Sequence, residues 1–215
     1  SSTYFNSNLA DILPLVSNHL NVMLFIDTAG SVVSARSAGY RAGKVTTFPE
    51  GLIAQVHLNN VLLKHPTADS SIKGIIALSE GAMLIASEPI MHSTGSGDIN
   101  GTLIFGRFLD TDAVQHLAKT TLIGLSLKSV SSLEPTREPS DVMPVLTSDA
   151  PLQIRPKSDT EVDAYYLLND VFGKPAFVVE AQMPRETYQR GVQTLQYYLL
   201  TLLGVGVVWG LVVAF

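Results

Sequence analysis

The apolar positions divide the chain into three stretches with different periodicities. In the first, short continuous apolar runs are separated by glycine-containing turns. Val22 to Asp27, then Thr28-Ala29-Gly30, then Ser31 to Ser37 predict a β-hairpin. Ile72 to Ser79, Ala82 to Met91 and Ile99 to Asp110 predict three more strands of a central antiparallel sheet. Helical spacing appears between these runs. Leu9, Ile12, Leu13 and Val16 predict an amphipathic helix over residues 5–19, with Asn8 and Asp11 resembling a capping box and Pro14 set to kink or end it. Pro49 opens a second helix that runs to about His65, with Leu52, Ile53, Val56, Leu58, Val61 and Leu63 as its apolar face. Gly39 to Phe48 reads as a loop, and Thr111 to Lys119 as a short helix capped by Asp110 or Thr111.

The second stretch is again strand-like. Gly124 to Val130, Gln153 to Lys157, Val162 to Asp170 and Ala176 to Met183 predict four strands, with Gly173 as the positive-φ residue of the last turn. Ser131 to Pro151 holds Pro135, Pro139, Pro144 and Pro151 and reads as a long surface loop. Pro184 closes the strands, and Glu186 to Gln196 predicts a helical bridge. The third stretch, Tyr197 to Phe215, is apolar all round. No Asp, Glu, Lys or Arg follows Arg190. At about 1.5 Å per residue this run spans roughly 28 Å as a helix, close to a bilayer core, with Tyr197 and Tyr198 at belt positions. A buried core helix is the alternative. The chain ends within or at the end of the run, which is expected of a piece of a longer protein whose first membrane segment lies outside it.

Composition sharpens this picture in three ways. The 215 residues are 46% hydrophobic and only 15% charged, with a mean hydropathy of +0.26 that the terminal run lifts. A net charge of −5 with no Lys/Arg stripe argues against a nucleic-acid-binding face. The absence of cysteine rules out disulfides, thiolate metal sites and a cysteine nucleophile.

Candidate chemistry is sparse. Among five histidines, His116 lies four residues from Asp112 on a short helix, half a metal site or a solvated face. Gly95-x-Gly97-x-x-x-Gly101 has the wrong spacing and context for a dinucleotide fingerprint, and Asp98 with Asn100 is a weak calcium pair. No Gly-x-Ser-x-Gly elbow occurs. Arg107 stands within an apolar strand, where it must snorkel, pair with a carboxylate such as Asp110 or Glu88, or bind an anion. Gly206 and Gly210 form a Gly-x-x-x-Gly that allows close helix packing.

Several runs together resemble the fourth class of CHASE domain, the cyclase/histidine-kinase-associated sensory extracellular modules. They are Asn8-Leu9, Leu24-Phe-Ile-Asp-Thr-Ala-Gly30, Phe48-Pro-Glu50, Ser71 to Gly81, Met83 to Ile90 and, most specific, Asn100 to Asp110. Met183 to Gly191 before the apolar run is similar to the exit from such domains. The family's Gly-x-Gly-Pro-Ile-Arg run is here Gly95-Ser-Gly-Asp-Ile-Asn100, without its basic residue. The resemblance implies an α+β fold with a PAS/Cache-like central antiparallel sheet, flanking helices and extra C-terminal strands, followed by a transmembrane helix. It divides the chain into an N-terminal helix (1–19), an extracytoplasmic sensor domain (20–183), a juxtamembrane helix (184–196) and a transmembrane helix (197–215).

By function it implies a non-enzymatic input domain, without cofactor, of an inner-membrane receptor, with the sensor periplasmic or extracellular. The implied partners are a small-molecule ligand, the membrane, a second copy, and a cytoplasmic histidine kinase or cyclic-diguanylate cyclase or phosphodiesterase in the same protein. Arg185 and Arg190 mildly oppose that orientation, so it rests on the resemblance. The expected pocket is bordered by Tyr40, Arg41, Ser79, Ser87 and Arg107, whose two arginines favour an anionic ligand. A membrane-anchored extracytoplasmic hydrolase is the alternative, and a purely structural domain a third.

Overall fold

The computed structural model describes residues 12–58, 60–91, 97–132 and 146–214. Its first sheet is built outward from β1 (Val22–Ile26), which pairs antiparallel with β2 (Val32–Gly39) on one side and β6 (Gly101–Phe108) on the other. Val22, Met23, Leu24 and Ile26 are all buried, so both faces of this strand are covered, as its unbroken apolar run requires. The turn into β2 is made by Gly30 at φ 83°, while the Asp27 carboxylate accepts the backbone N–H groups of Ala29 and Ser31. β5 (Gly81–Ile90) and β4 (Ile72–Leu78) extend the sheet beyond β6, and β3 (Lys44–Val45) adds a short edge within the expected loop. The order is β3-β2-β1-β6-β5-β4.

Two layers cover this sheet. On one face Leu52 and Val56 of α2 (Glu50–Leu58) and Leu62 of a 3-10 turn (Asn60–Leu63) pack on Leu24, Ile76, Met83 and Ile104. On the other, Leu15 of α1 (Leu13–Ser17) packs with Met23 and Ala38. Both helices depart from expectation. Pro14 falls in the first turn of α1, where its missing N–H costs nothing, so it starts the helix instead of ending it. Leu15 is therefore the buried residue and Leu13 is exposed. α2 stops at Leu58, well before His65, and the tighter 3-10 winding brings Leu62 inward and leaves Val61 exposed. The expected capping pair Asn8 and Asp11 lies outside the described residues.

α3 (Thr111–Thr121) begins at Asp110, whose carboxylate accepts the Ala113 N–H at 2.8 Å, and ends at Leu122 in the left-handed conformation. It leads into β7 (Gly124–Ser129) of a second antiparallel sheet, completed by β8 (Leu152–Pro156), β9 (Glu161–Asn169) and β10 (Pro175–Pro184) in the order β7-β10-β9-β8. The extra strands thus form a sheet of their own. The β9–β10 turn docks on the first sheet. The Val171 N–H donates to Ile75 O at 2.9 Å, and Gly74 leaves the space that the Val171 side chain fills. Ile75, Ala176 and Phe177 are buried together at this junction.

One residue, Arg185, separates β10 from α4 (Glu186–Ala214), a 29-residue helix. Among the described residues no helix is long and apolar enough to cross a membrane. The run 197–215 includes positions 206–208 and 210–215, among them Gly206 and Gly210, whose side chains lie outside the description.

The tightest backbone approach is at Gly101, which has φ 151° and where a Cβ would lie 2.3 Å from the Ile26 carbonyl oxygen. Gly101→Ala is expected to lower unfolding free energy by about 3 kcal/mol, from backbone strain and overpacking beside the central strand. Urea unfolding tests this, with a reduced midpoint and unchanged slope expected. An unchanged midpoint would show that the β1–β6 register tolerates a side chain there.

Candidate functional site

The sheet separates two clefts. The first, of about 570 Å³, lies where the ends of β2 and β6 and one side of α3 converge, and is lined by His19, Tyr40, Arg41, Arg107, Asp112, Gln115, His116 and Lys119 among others. Arg107 points to the α1 side of the sheet, since Leu103 and Phe105, two and four positions earlier, pack with Leu15. The α3 contribution follows from helical spacing, because Asp112, His116 and Lys119 recur at i, i+4 and i+7.

Tyr40 is the organising side chain of this cleft. The guanidinium carbons of Arg41 and Arg107 each lie 5.4 Å from its ring centroid, and His19 meets the ring edge-on at 5.6 Å. The two arginines differ in their other partners. Arg41 bridges two carboxylates, Asp110 at 3.1 Å and Asp112, and so ties the end of β2 to the start of α3. These groups are exposed, so the pair contributes little to stability and acts as a positional clamp. Arg107 reaches neither of the acids expected for it. Asp110 is taken by Arg41, and Glu88 accepts the Ser71 hydroxyl at 2.6 Å and faces Lys73 at 3.5 Å.

The second cleft, of about 600 Å³, opens on the α2 side and includes Ser37, Thr46, Phe48, Glu50, Ser79, Glu80 and Phe108. Its polar groups satisfy one another. Ser37 and Thr46 hydroxyls are 2.8 Å apart, Ser79 donates to Glu80 at 2.8 Å, and Glu80 accepts the Gly51 N–H at 3.1 Å at the start of α2. Despite a desolvation cost, those hydrogen bonds hold the Glu80 carboxyl below its ordinary range.

The five residues expected to share one pocket are therefore divided. Tyr40, Arg41 and Arg107 come together in the first cleft, and Ser79 lines the second. Ser87 lines neither: it is fully buried under the 3-10 turn, donates its hydroxyl hydrogen to Leu62 O, and lies 3.2 Å from His65 Nε2. Register is the reason. Ser87 pairs with Ile104 and shares its core-facing side, whereas Arg107, three residues further along β6, points the other way. The Ser87–His65 contact is also no hydrolytic pair, because Ser87 has no exposed surface. His19, Gln115 and Lys119 were not expected in the site. The spacing of 112, 116 and 119 marked the face of α3, but nothing local marked what that face would meet. Among the described residues no cluster of three His, Asp or Glu could hold a metal, so Asp112 and His116 gain no third ligand there.

The first sheet thus carries a polar cleft on each face, and a helix leaves the last strand of the second sheet. In comparison with known proteins, residues 1–128 match the family described as the CHASE4 domain, and the chain belongs to that family of sensory domains. It is similar to the methanogenesis regulatory histidine kinase FilI of Methanothrix harundinacea (strain 6Ac), at 27% identity over 177 residues, covering 82% of this chain and 19% of that protein. The chain thus spans about a fifth of the length of that curated relative. Among solved structures it is similar to the extracellular domain assigned to the histidine kinase vpHK1S-Z8 (TM-score 0.46, 11% identity, 83% of this chain and 74% of that one). It is also similar to the periplasmic domain of RsbU from Chlamydia trachomatis (TM-score 0.34, 11% identity, 86% and 78%).

Burial, partly offset by nearby Glu88, holds the His65 imidazole below its ordinary value of about 6.5. The unfolded chain therefore binds that proton more readily, and stability falls as pH drops from about 6.5 through the lowered value. The carboxylates of Glu80, Glu88 and Glu180, all depressed, act only below about pH 4.5, so the windows separate. Melting temperature between pH 7.5 and 5 is expected to fall less in His65→Gln than in the parent chain. Parallel curves would exclude His65 as the group responsible.

Proposed function

We propose that this CHASE4 domain is the extracytoplasmic, ligand-sensing input of a transmembrane receptor and that α4 carries its output across the membrane. The observation that carries the reading is the junction: β10 passes through Pro184 and Arg185 into one continuous helix with no Gly/Ser linker, so a displacement of the second sheet is not absorbed before the helix. At 29 residues α4 is about 43 Å long, a length with room for a juxtamembrane segment and a bilayer span. The apolar character of that span rests on the sequence, since part of its side chains lie outside the description. The span is residues 197–215, supported by the absence of Asp, Glu, Lys and Arg after Arg190. The observed order of helix, hairpin, helix and three antiparallel strands supports a PAS-like sensor core. The histidine kinase relative favours a kinase as the cytoplasmic effector, ahead of a cyclic-diguanylate enzyme. A parallel homodimer is the working state, with Gly206 and Gly210 at the helix contact. A small ligand acts by favouring one of two sheet-to-helix arrangements.

Two experiments test this. These 215 residues lack cysteine, so Lys44→Cys on exposed β3 adds the one thiol of this segment, and the parent receptor serves as the labelling blank. In intact cells making the full-length receptor, a membrane-impermeant thiol reagent is expected to label it, and labelling only after lysis reverses the topology. Four glycines inserted after Arg185 of that receptor are expected to uncouple the domain, giving the autophosphorylation level of a receptor without residues 1–183. A spacer variant that behaves like the parent receptor rules out transmission through a stiff junction.

A further inference from the structure

We propose that the cleft between Tyr40, Arg107 and α3 binds a small dianion. This deepens, and rests on, the reading of the chain as a ligand-sensing domain.

The argument is one of charge balance. The lining holds three cations, Arg41, Arg107 and Lys119, against one carboxylate, Asp112, which pairs with Arg41. Asp110, the second partner of Arg41, is not in the lining and caps the positive end of α3 through the Ala113 N–H. Arg107 is half-buried, and among the described residues its guanidinium makes no ion pair and no hydrogen bond. Its partner is the Tyr40 ring, whose face attracts the cation but satisfies none of its five N–H donors. The Arg107 donors are not buried, so they are open to an incoming oxyanion, which a guanidinium holds through charge-assisted hydrogen bonds. Lys119 also makes no ion pair among the described residues, and it lines the same cleft from the last turn of α3. Two cations therefore face one cavity without a counterion, and His19 and His116 add ring nitrogens beside them.

The two cations suit different parts of one ligand. The planar fork of Arg107 matches two oxygens of a carboxylate or phosphoryl group, and Lys119 supplies a second, movable point charge. The volume of about 570 Å³ suits a small molecule. Tyr40 is already engaged by both arginines and, edge-on, by His19, so charge is the feature of the cleft left for a ligand to meet.

The 215-residue chain in detergent, titrated calorimetrically at low ionic strength, tests this directly. Succinate probes a dicarboxylate source, and inorganic phosphate and sulfate probe the phosphoryl-like one; acetate and ethylenediamine are the comparisons. At least one dianion is expected to bind, with acetate at least about tenfold weaker. Arg107→Gln and Lys119→Gln are each expected to weaken that binding about ten- to a hundredfold, and Ser79→Ala, in the opposite cleft, to leave it unchanged. Thermal unfolding of the ligand-free variants shows that they are folded. The proposal is overturned by the absence of dianion binding at about 10 mM, by acetate binding as tightly as succinate, or by binding that survives both cleft substitutions. Receptor autophosphorylation separates the two readings. A dianion that binds through Arg107 without altering output supports the site and counts against its sensory role. Output controlled by another compound, with no dianion bound, overturns the site and leaves the sensory role standing.

Discussion

Everything in this molecule is arranged around one strand that cannot be exposed on either side. β1 is hydrogen-bonded to β2 and β6 along both edges, and Val22, Met23, Leu24 and Ile26 bury side chains on alternate faces. An apolar run of this kind needs a cover on each face of the sheet. The chain supplies α1 on one and α2 with the 3-10 turn on the other. Those covers are shorter than the sheet they protect, and the uncovered margins are where the two clefts lie. Close approach at the centre is secured by small residues. Gly106, opposite Val22, leaves room that Met83 and Val22 fill, and Gly101 lets the Ile26 carbonyl pass.

How far the sequence revealed this depends on whether a signal was local. The hairpin at Gly30, the Asp110 cap, the Gly173 turn and all seven of the longer strands expected beyond the hairpin correspond to features within a few residues. Where local signals competed, the reading slipped. Pro14 was compatible with ending a helix or starting one, and Leu62 lay one position away from the residues that an α-helical period selects. The site shows the same division. An arginine in an apolar strand was visible, as was its neighbour Tyr40-Arg41 at the hairpin's end. Placing Ser87 with them required the register of β5 against β6, because a three-residue offset along a strand reverses the face. Lys119 and His19 depended on how α3 and the end of α1 lie against the sheet, which no short window of sequence specifies.

The connectivity also places the basic cleft close, in structural steps, to the exit. α3 forms one wall of it and continues through Leu122 into β7. β7 is hydrogen-bonded along most of its length to β10, with Gly124 opposite Gln182, and β10 ends at α4. One turn and one strand pair therefore separate α3 from the last helix.

The contrast between the two arginines explains why the basic cleft is built as it is. If both were paired, the cleft would be a closed electrostatic unit with nothing left for a ligand. If both were free, the end of β2 would have no anchor on α3, and a bound anion could be gripped without moving that helix. With Arg41 holding Asp110 and Asp112, the end of β2 is tied to the first turn of α3. With Arg107 on β6 and Lys119 at the far end of α3, an anion that engages both would bridge the sheet and that helix. The resident ion pair holds the first turn of α3, whereas Lys119 stands at the other end, from which the chain passes into β7.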